Sequence, residues 1–309
     1  MKLRIASGQA AWLALLVLTI VWGLNWIFMK VALEFSGAYA FSALRYAVGT
    51  IVIFALLFFR KGTWHPTPWI PTIIIGLTQT AAFQALAQLA LIEGGAGKTA
   101  LLAYSMPFWV VPLAWWLLRE KPGWFRWLCI GFAAAGYVCI VTPWQHLGDP
   151  LSVALALASG LAWGIATVVS KRLFERHPEV TPLRLTCWQM LIGTVVLILL
   201  AVVIPERRIV WNLEYIGAIL YSGLLSSSLG WALWAFVVKR LPATVSGLAS
   251  LATPVASVLF GWWLLSERPS GPESLGIVLI AVALLALNFS GRVQRDEMNP
   301  VTARRTQRD

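Results

Sequence analysis

Long apolar stretches dominate this chain, separated by short polar gaps. An α-helix needs about 20 mostly apolar residues to cross the hydrocarbon core of a bilayer. Ten runs meet that need: 10–31, 38–59, 69–91, 98–118, 123–142, 151–171, 182–204, 213–238, 243–265 and 272–290. The gaps leave no room for a soluble domain. Only 292–309 reads as lying clear of the membrane, a polar, basic tail whose composition predicts disorder. The expected fold class is an all-α integral membrane protein with ten transmembrane helices. Lys2 and Arg4 ahead of the first run resemble the start of a signal peptide. The run is of spanning length, however, and no small-residue cleavage site closes it, so it is expected to be retained as the first helix.

Internal similarity then divides the chain. Trp22-Gly23, followed by Lys30, recurs as Trp163-Gly164 followed by Lys171, at an offset of 141 residues. Trp115-Trp116-Leu117-Leu118-Arg119-Glu120-Lys121-Pro122 recurs as Trp262-Trp263-Leu264-Leu265-Ser266-Glu267-Arg268-Pro269, at an offset of 147. At that second offset Pro107 maps to Pro254 and Gly76-Leu77 to Gly223-Leu224. The expected units are a first five-helix repeat over 1–145, a second over 146–291 and the tail. Five is odd, so the second repeat enters the membrane upside down. Inverted repeats of this kind underlie alternating access in many secondary transporters, with the site near midplane between them.

Charge placement supports a membrane reading and orients it. Apolar residues make up 59% of the chain and charged residues 12%, where a soluble domain carries about a quarter. The net charge of +11 forms no continuous basic stripe of the kind that grips nucleic acid. With the N-terminus cytoplasmic, 18 Lys and Arg fall inside and 5 outside, with Arg45 left within a span. That asymmetry places both termini in the cytoplasm. Trp64, Trp69, Trp124, Trp127 and Trp211 stand at helix ends, as an aromatic belt would.

Polar residues inside the spans are the candidates for function. Thr80, Gln84 and Gln88 recur every four residues on helix three and share a face in a regular helix. Exposing amides to lipid is costly, so that face is expected to meet other helices or a wet cavity. The repeat maps Thr80 to Ser227 and Gln84 to Trp231, and Ser227, Trp231 and Trp234 again share a face. Arg45 lies about two turns inside helix two. Two readings stay open for it: a structural tie, snorkelling or paired with Glu34 or Glu93, or contact with a substrate carboxylate. Asn25, Tyr104 and Trp163 are further candidates for the path, as is Gln189, each with helix packing as the rival reading. Pro107 and Pro254 are expected to kink helices four and nine and to act as hinges.

Several alternatives lack their residues. All 13 acidic side chains lie at or near helix ends, so the buried carboxylate expected of an exporter of lipophilic cations is missing. His65, His146 and His177 are scattered. Cys129, Cys139 and Cys187 show neither metal-ligand nor disulfide spacing. No nucleophile motif, phosphate loop or selectivity filter is present. The chain is therefore expected to be no enzyme, to need no cofactor or metal, and to have a small molecule and the bilayer as partners. Proton or counter-substrate coupling stays open.

Trp22-Gly23-Leu24-Asn25-Trp26-Ile27-Phe28-Met29-Lys30 resembles the first-helix motif of the ten-helix EamA family in the drug/metabolite transporter superfamily. Leu44-Arg45-Tyr46 is similar to its second-helix arginine-aromatic pair, and Glu267, Gly276 and Leu279-Ile280 to its ninth-to-tenth helix signature. The first-half counterpart departs from that signature, with Cys129 nine residues after Glu120. The resemblance covers nearly all of the chain except the tail. It implies a plasma-membrane exporter, at the bacterial inner membrane, of amino acids or related metabolites, with drug-like compounds as the alternative cargo.

Overall fold

A computed structural model describes residues 2–60, 64–93, 96–141, 149–256, 259 and 271–297. The described residues form helices and no strands. Eight helices are long and apolar enough to cross a membrane, and two shorter apolar helices, Ala243–Ala256 and Ser274–Ala286, lie where the ninth and tenth spans were expected. Expectations that rest on the side chains of Glu93, Lys98 and Glu273, on Glu267 and Arg268, or on residues 298–309 lie outside the described residues. The last helix runs on to Glu297, into the stretch expected to be a tail.

The elements in order are α1 (Lys2–Phe35), α2 (Ala38–Phe59), α3 (Trp69–Ile75), α4 (Phe83–Glu93), α5 (Ala96–Ala103), α6 (Met106–Leu118), α7 (Trp124–Val141), α8 (Pro150–Arg176), α9 (Pro182–Val203), α10 (Leu213–Leu220), α11 (Gly230–Arg240), α12 (Ala243–Ala249) and α13 (Gly271–Glu297). A π-helical segment, Gly76–Ala82, joins α3 to α4, and a second, Tyr221–Leu229, joins α10 to α11. Helix three is thus one rod made of α3, π-turn and α4, and helix eight is built alike.

The fourth expected helix is broken, not kinked. The chain turns at Tyr104-Ser105, and Pro107 falls in the first turn of α6. A proline costs nothing there, because no carbonyl awaits its missing N–H. The break leaves carbonyls without helical donors. The Ser105 N–H turns to Leu102 O at 3.0 Å, and the Leu101 carbonyl instead accepts the Tyr137 hydroxyl at 2.7 Å. The same break recurs at Ser250-Leu251, with Pro254 in the short helical stretch that follows.

Close helix crossings depend on small residues, as is usual where lipid supplies no hydrophobic drive between helices. A Cβ on Gly193 of α9 would collide with the Thr80 side chain and sit 2.7 Å from the Gly76 carbonyl. A Cβ on Gly223 would sit 2.9 Å from the Arg45 carbonyl, so helix eight meets α2 backbone to backbone. At the α2–α9 contact the hydroxyls of Thr50 and Thr194 hydrogen-bond at 2.9 Å. The belt tryptophans Trp64, Trp69, Trp124, Trp127 and Trp211 are all exposed.

Candidate functional site

The interior is built around tryptophan. Trp22 of α1 and Trp163 of α8, which the repeat pairs, meet edge to face with ring centroids 5.4 Å apart and planes at 81°. Trp231 and Trp234 of α11 close on the same pair, Trp231 lying 5.0 Å from Trp22 and Trp234 5.2 Å from Trp163. Phe83 and Tyr104 pack on Trp163 at 5.3 and 5.4 Å. Four- and three-residue spacing puts Trp22, Asn25, Trp26 and Met29 on one stripe of α1, and that stripe faces the cluster.

This stripe bounds a cavity lined also by Arg45, Phe83, Gln84, Tyr104, Trp163, Ser226 and Trp231. Its volume is about 30 Å³, room for about two water molecules.

Arg45 forms one end of it. The side chain is 1% exposed. Its Nε donates to Ser227 Oγ at 3.2 Å and Nη2 to Ser226 Oγ at 3.4 Å. The guanidinium carbon lies 5.2 Å from the centre of the Tyr46 ring and 5.8 Å from that of Phe41, within cation–π range. Nη1 has no partner. The ion pairs found among the described residues, Lys171–Glu175 and His177–Glu179, lie elsewhere. Glu34, one of the two expected ties, is exposed. Among the described residues the guanidinium is held by hydroxyls and ring faces; the tie to Glu93 lies outside them.

The amides behave differently from one another. Gln84, 3% exposed, hydrogen-bonds the Tyr46 hydroxyl, which also accepts the Trp231 indole N–H at 2.6 Å. Gln84 Oε1 has no partner. Asn25 donates its amide to Met29 Sδ at 2.9 Å and leaves Oδ1 unpartnered. Thr80 falls outside the lining, donating to Gln189 Oε1 of α9 at 2.7 Å. Gln88 is fully buried without partners and also lies outside the lining. Thr80 lies within the π-segment and turns toward α9, off the regular four-residue face predicted for it with Gln84 and Gln88; those two both stand in α4, and only Gln84 lines the cavity.

Of the residues singled out in the sequence, Asn25, Arg45, Gln84, Tyr104, Trp163 and Trp231 line the cavity together. Ser227 and Trp234 stand just behind it, on Arg45 and on the aromatic cluster. Pro107 and Pro254 follow the two helix breaks. The Tyr104 hydroxyl is hydrogen-bonded by Trp26 and Thr253, so the helix containing Pro254 reaches the site without lining it. Sequence reasoning missed Trp22, Trp26, Met29, Phe83 and Ser226 as lining residues. It also missed the bond from Trp22 Nε1 to the Ser226 carbonyl at 3.1 Å. The available signal was the spacing of Trp22, Trp26 and Met29 with Asn25.

The sequence profile of the EamA-like transporter family matches residues 9–142 and again 150–289. The chain belongs to that family. EamA proteins are transporters of the drug/metabolite transporter superfamily, and this one is an integral membrane protein. It is 25% identical over 286 residues to an uncharacterised transporter of Bacillus subtilis, covering 90% of this chain and 96% of that one. It is 26% identical over 302 residues to a probable amino-acid metabolite efflux pump of Salmonella typhimurium, covering 94% and 98%. A probable terminal-alkyne amino-acid exporter of Streptantibioticus cattleyicolor is 28% identical over 285 residues, covering 91% and 94%. A solved crystal structure shares the fold at a TM-score of 0.77 and 19% identity, covering 93% of this EamA chain and 99% of that one.

Proposed function

We propose that this EamA protein exports a small amino acid or related zwitterion from the cytoplasm by alternating access. The carrying observation is a small cavity whose wall combines an aromatic cluster, a buried guanidinium and two amides, drawn from α1, α2, α4, α8 and the Leu213–Arg240 rod. Exporters of amino acids among the relatives support the cargo class. Cargo of the drug-like cation type is the weaker reading, since no carboxylate lines the cavity among the described residues.

In this reading two inverted five-helix repeats, 1–145 and 146–291, rock about the cavity with both termini in the cytoplasm of a bacterial inner membrane. Four features support the repeat: the family profile matches twice, both third helices carry a π-segment, both fourth helices break before a proline, and Trp22 meets Trp163. The breaks at Tyr104-Ser105 and Ser250-Leu251 are the hinges. The driving exchange partner is a proton or a second substrate.

Counterflow in proteoliposomes tests this. Vesicles loaded with one unlabelled amino acid should accumulate its labelled form for at least one member of a full panel. Gln84→Ala and Trp231→Ala should each cut uptake about tenfold or more, the equivalent of about 1.4 kcal/mol, while the protein still inserts. If no amino acid accumulates, with or without a pH gradient, the cargo class is wrong.

A further inference from the structure

Four buried polar atoms on the cavity wall have no partner: Arg45 Nη1, Asn25 Oδ1, Gln84 Oε1 and the indole N–H of Trp163, and the first three have complementary chemistry. Arg45 Nη1 is a charged donor, whereas Asn25 Oδ1 and Gln84 Oε1 are neutral acceptors. All three side chains are at most 5% exposed. Buried groups of this kind carry a desolvation cost until a partner arrives. We propose that the cavity reads a free α-amino acid by its two poles: the carboxylate takes Arg45 Nη1, and the ammonium takes the oxygens of Asn25 and Gln84. The apolar side chain is left to the faces of Trp22, Trp163 and Trp231. Using amides in place of a carboxylate for the ammonium keeps the unloaded cavity at one positive charge and rejects simple amines, which Arg45 repels. This assignment rests on the amino-acid reading above and adds the pole at which each residue acts.

Analogues separate the two ideas. The best-exchanged amino acid from the panel is compared in counterflow with its carboxamide, its decarboxylated amine and its deaminated acid. Each analogue should compete about 10- to 100-fold more weakly than the parent, the loss expected for one charge-assisted hydrogen bond. In Arg45→Gln the carboxamide should compete as well as the parent. In Asn25→Leu the deaminated acid should gain on the parent by about tenfold. If the amine or the carboxamide competes equally in the unmodified protein, the pole assignment fails while amino-acid transport stands. If no amino acid exchanges at all, the parent reading fails. Because the analogue series runs on the unmodified protein, a poorly folding variant does not blunt the test.

A separate observation carries a second inference. Two glutamates cap helices in the opposite half of the chain. Glu206, just after α9, accepts the N–H groups of Tyr39 at 3.0 Å and Ala40 at 2.8 Å, at the start of α2. Gly37, the N-cap residue there, offers no side-chain cap. Glu120, just after α6, accepts Ala243 N–H at 2.9 Å and Thr244 N–H at 3.2 Å, at the start of α12. Arg119 is held at φ 56°, the left-handed region, which turns the chain so that Glu120 reaches across. Val210 N–H bonds the Phe35 carbonyl at 2.8 Å, which places the Glu206 cap beside the start of the rod Leu213–Arg240. Ala243 follows the far end of that rod, 28 residues on, or about 42 Å. The caps therefore sit at opposite ends of the bundle.

We infer that Glu206 and Glu120 are opposed latches, both closed around the small cavity, one of which must release for the transporter to open to either side. Met29→Cys, placed on the cavity wall in a background lacking Cys129, Cys139 and Cys187, reports opening by its reaction with an impermeant maleimide. Glu120→Ala should speed labelling from the Ala243 face by about tenfold, an upper-range cap energy converted to a rate. Glu206→Ala should do the same from the opposite face. Equal labelling from both faces, or no change with transport retained, would reduce the glutamates to ordinary caps.

Discussion

Replacing Arg45 with methionine should make this transporter more stable and stop it transporting. Arg45 is 1% exposed, and among the described residues its guanidinium is hydrogen-bonded to two serine hydroxyls, at 3.2 and 3.4 Å. Taking a charge out of water costs several kcal/mol, and weak hydroxyl partners offset that incompletely. Methionine fills much the same volume without the charge. Replacing buried ionic groups by apolar residues of matching size has been neutral or stabilising by about 1–4 kcal/mol, which in a chain of this size raises the melting temperature by about 2–8 °C. Ser226 and Ser227 can turn their hydroxyls to nearby helix carbonyls. Counterflow should fall by at least about 100-fold, in keeping with loss of a buried charge-assisted contact. Thermal unfolding in detergent and counterflow on the same preparation decide the matter. A fall in melting temperature would make Arg45 a structural tie, the other reading its sequence position allowed.

Gly193→Val should be the most damaging single change in the membrane interior. Its added Cβ would overlap the Thr80 side chain and press on the Gly76 carbonyl at 2.7 Å. Neither neighbour can step aside cheaply. Thr80 is fixed to Gln189 at 2.7 Å, and Gly76 opens the π-segment. Separating two packed helices to admit a branched side chain is expected to cost about 3 kcal/mol, read as a large fall in thermal stability or loss of monodisperse protein. Gly217→Val is the control. A Cβ there meets nothing within 4 Å, so stability should stay within about 0.5 kcal/mol.

These two sites show what the sequence disclosed and where it stopped. Arg45 was legible because a charge within an apolar run has few innocent explanations. Its partners were not, since Ser226 and Ser227 lie more than 180 residues away. Eight of the ten helix spans were legible from run length alone. The breaks at Tyr104 and Ser250 were half legible: proline announced a disturbance, but a kink and a restart look alike in sequence. The π-segments were illegible, because counting every fourth residue assumes the regular period that they violate. Gln84 lines the cavity, whereas Thr80, inside the π-segment, turns to Gln189 of α9.

The edge-to-face contact of Trp22 with Trp163 has an optical consequence. In an edge-to-face pair one ring gives its edge and the other its face, so the two partners are unequal however alike their halves are. Trp22 Nε1 is bonded to a carbonyl, and Trp163 Nε1 is not. If the halves trade conformations during transport, the rings trade roles. The two indoles should then exchange emission colour as the protein turns over; the sum of the two is unchanged by the exchange, so the signal is read in a variant that keeps Trp22 alone of the 18 tryptophans, the others replaced by Phe.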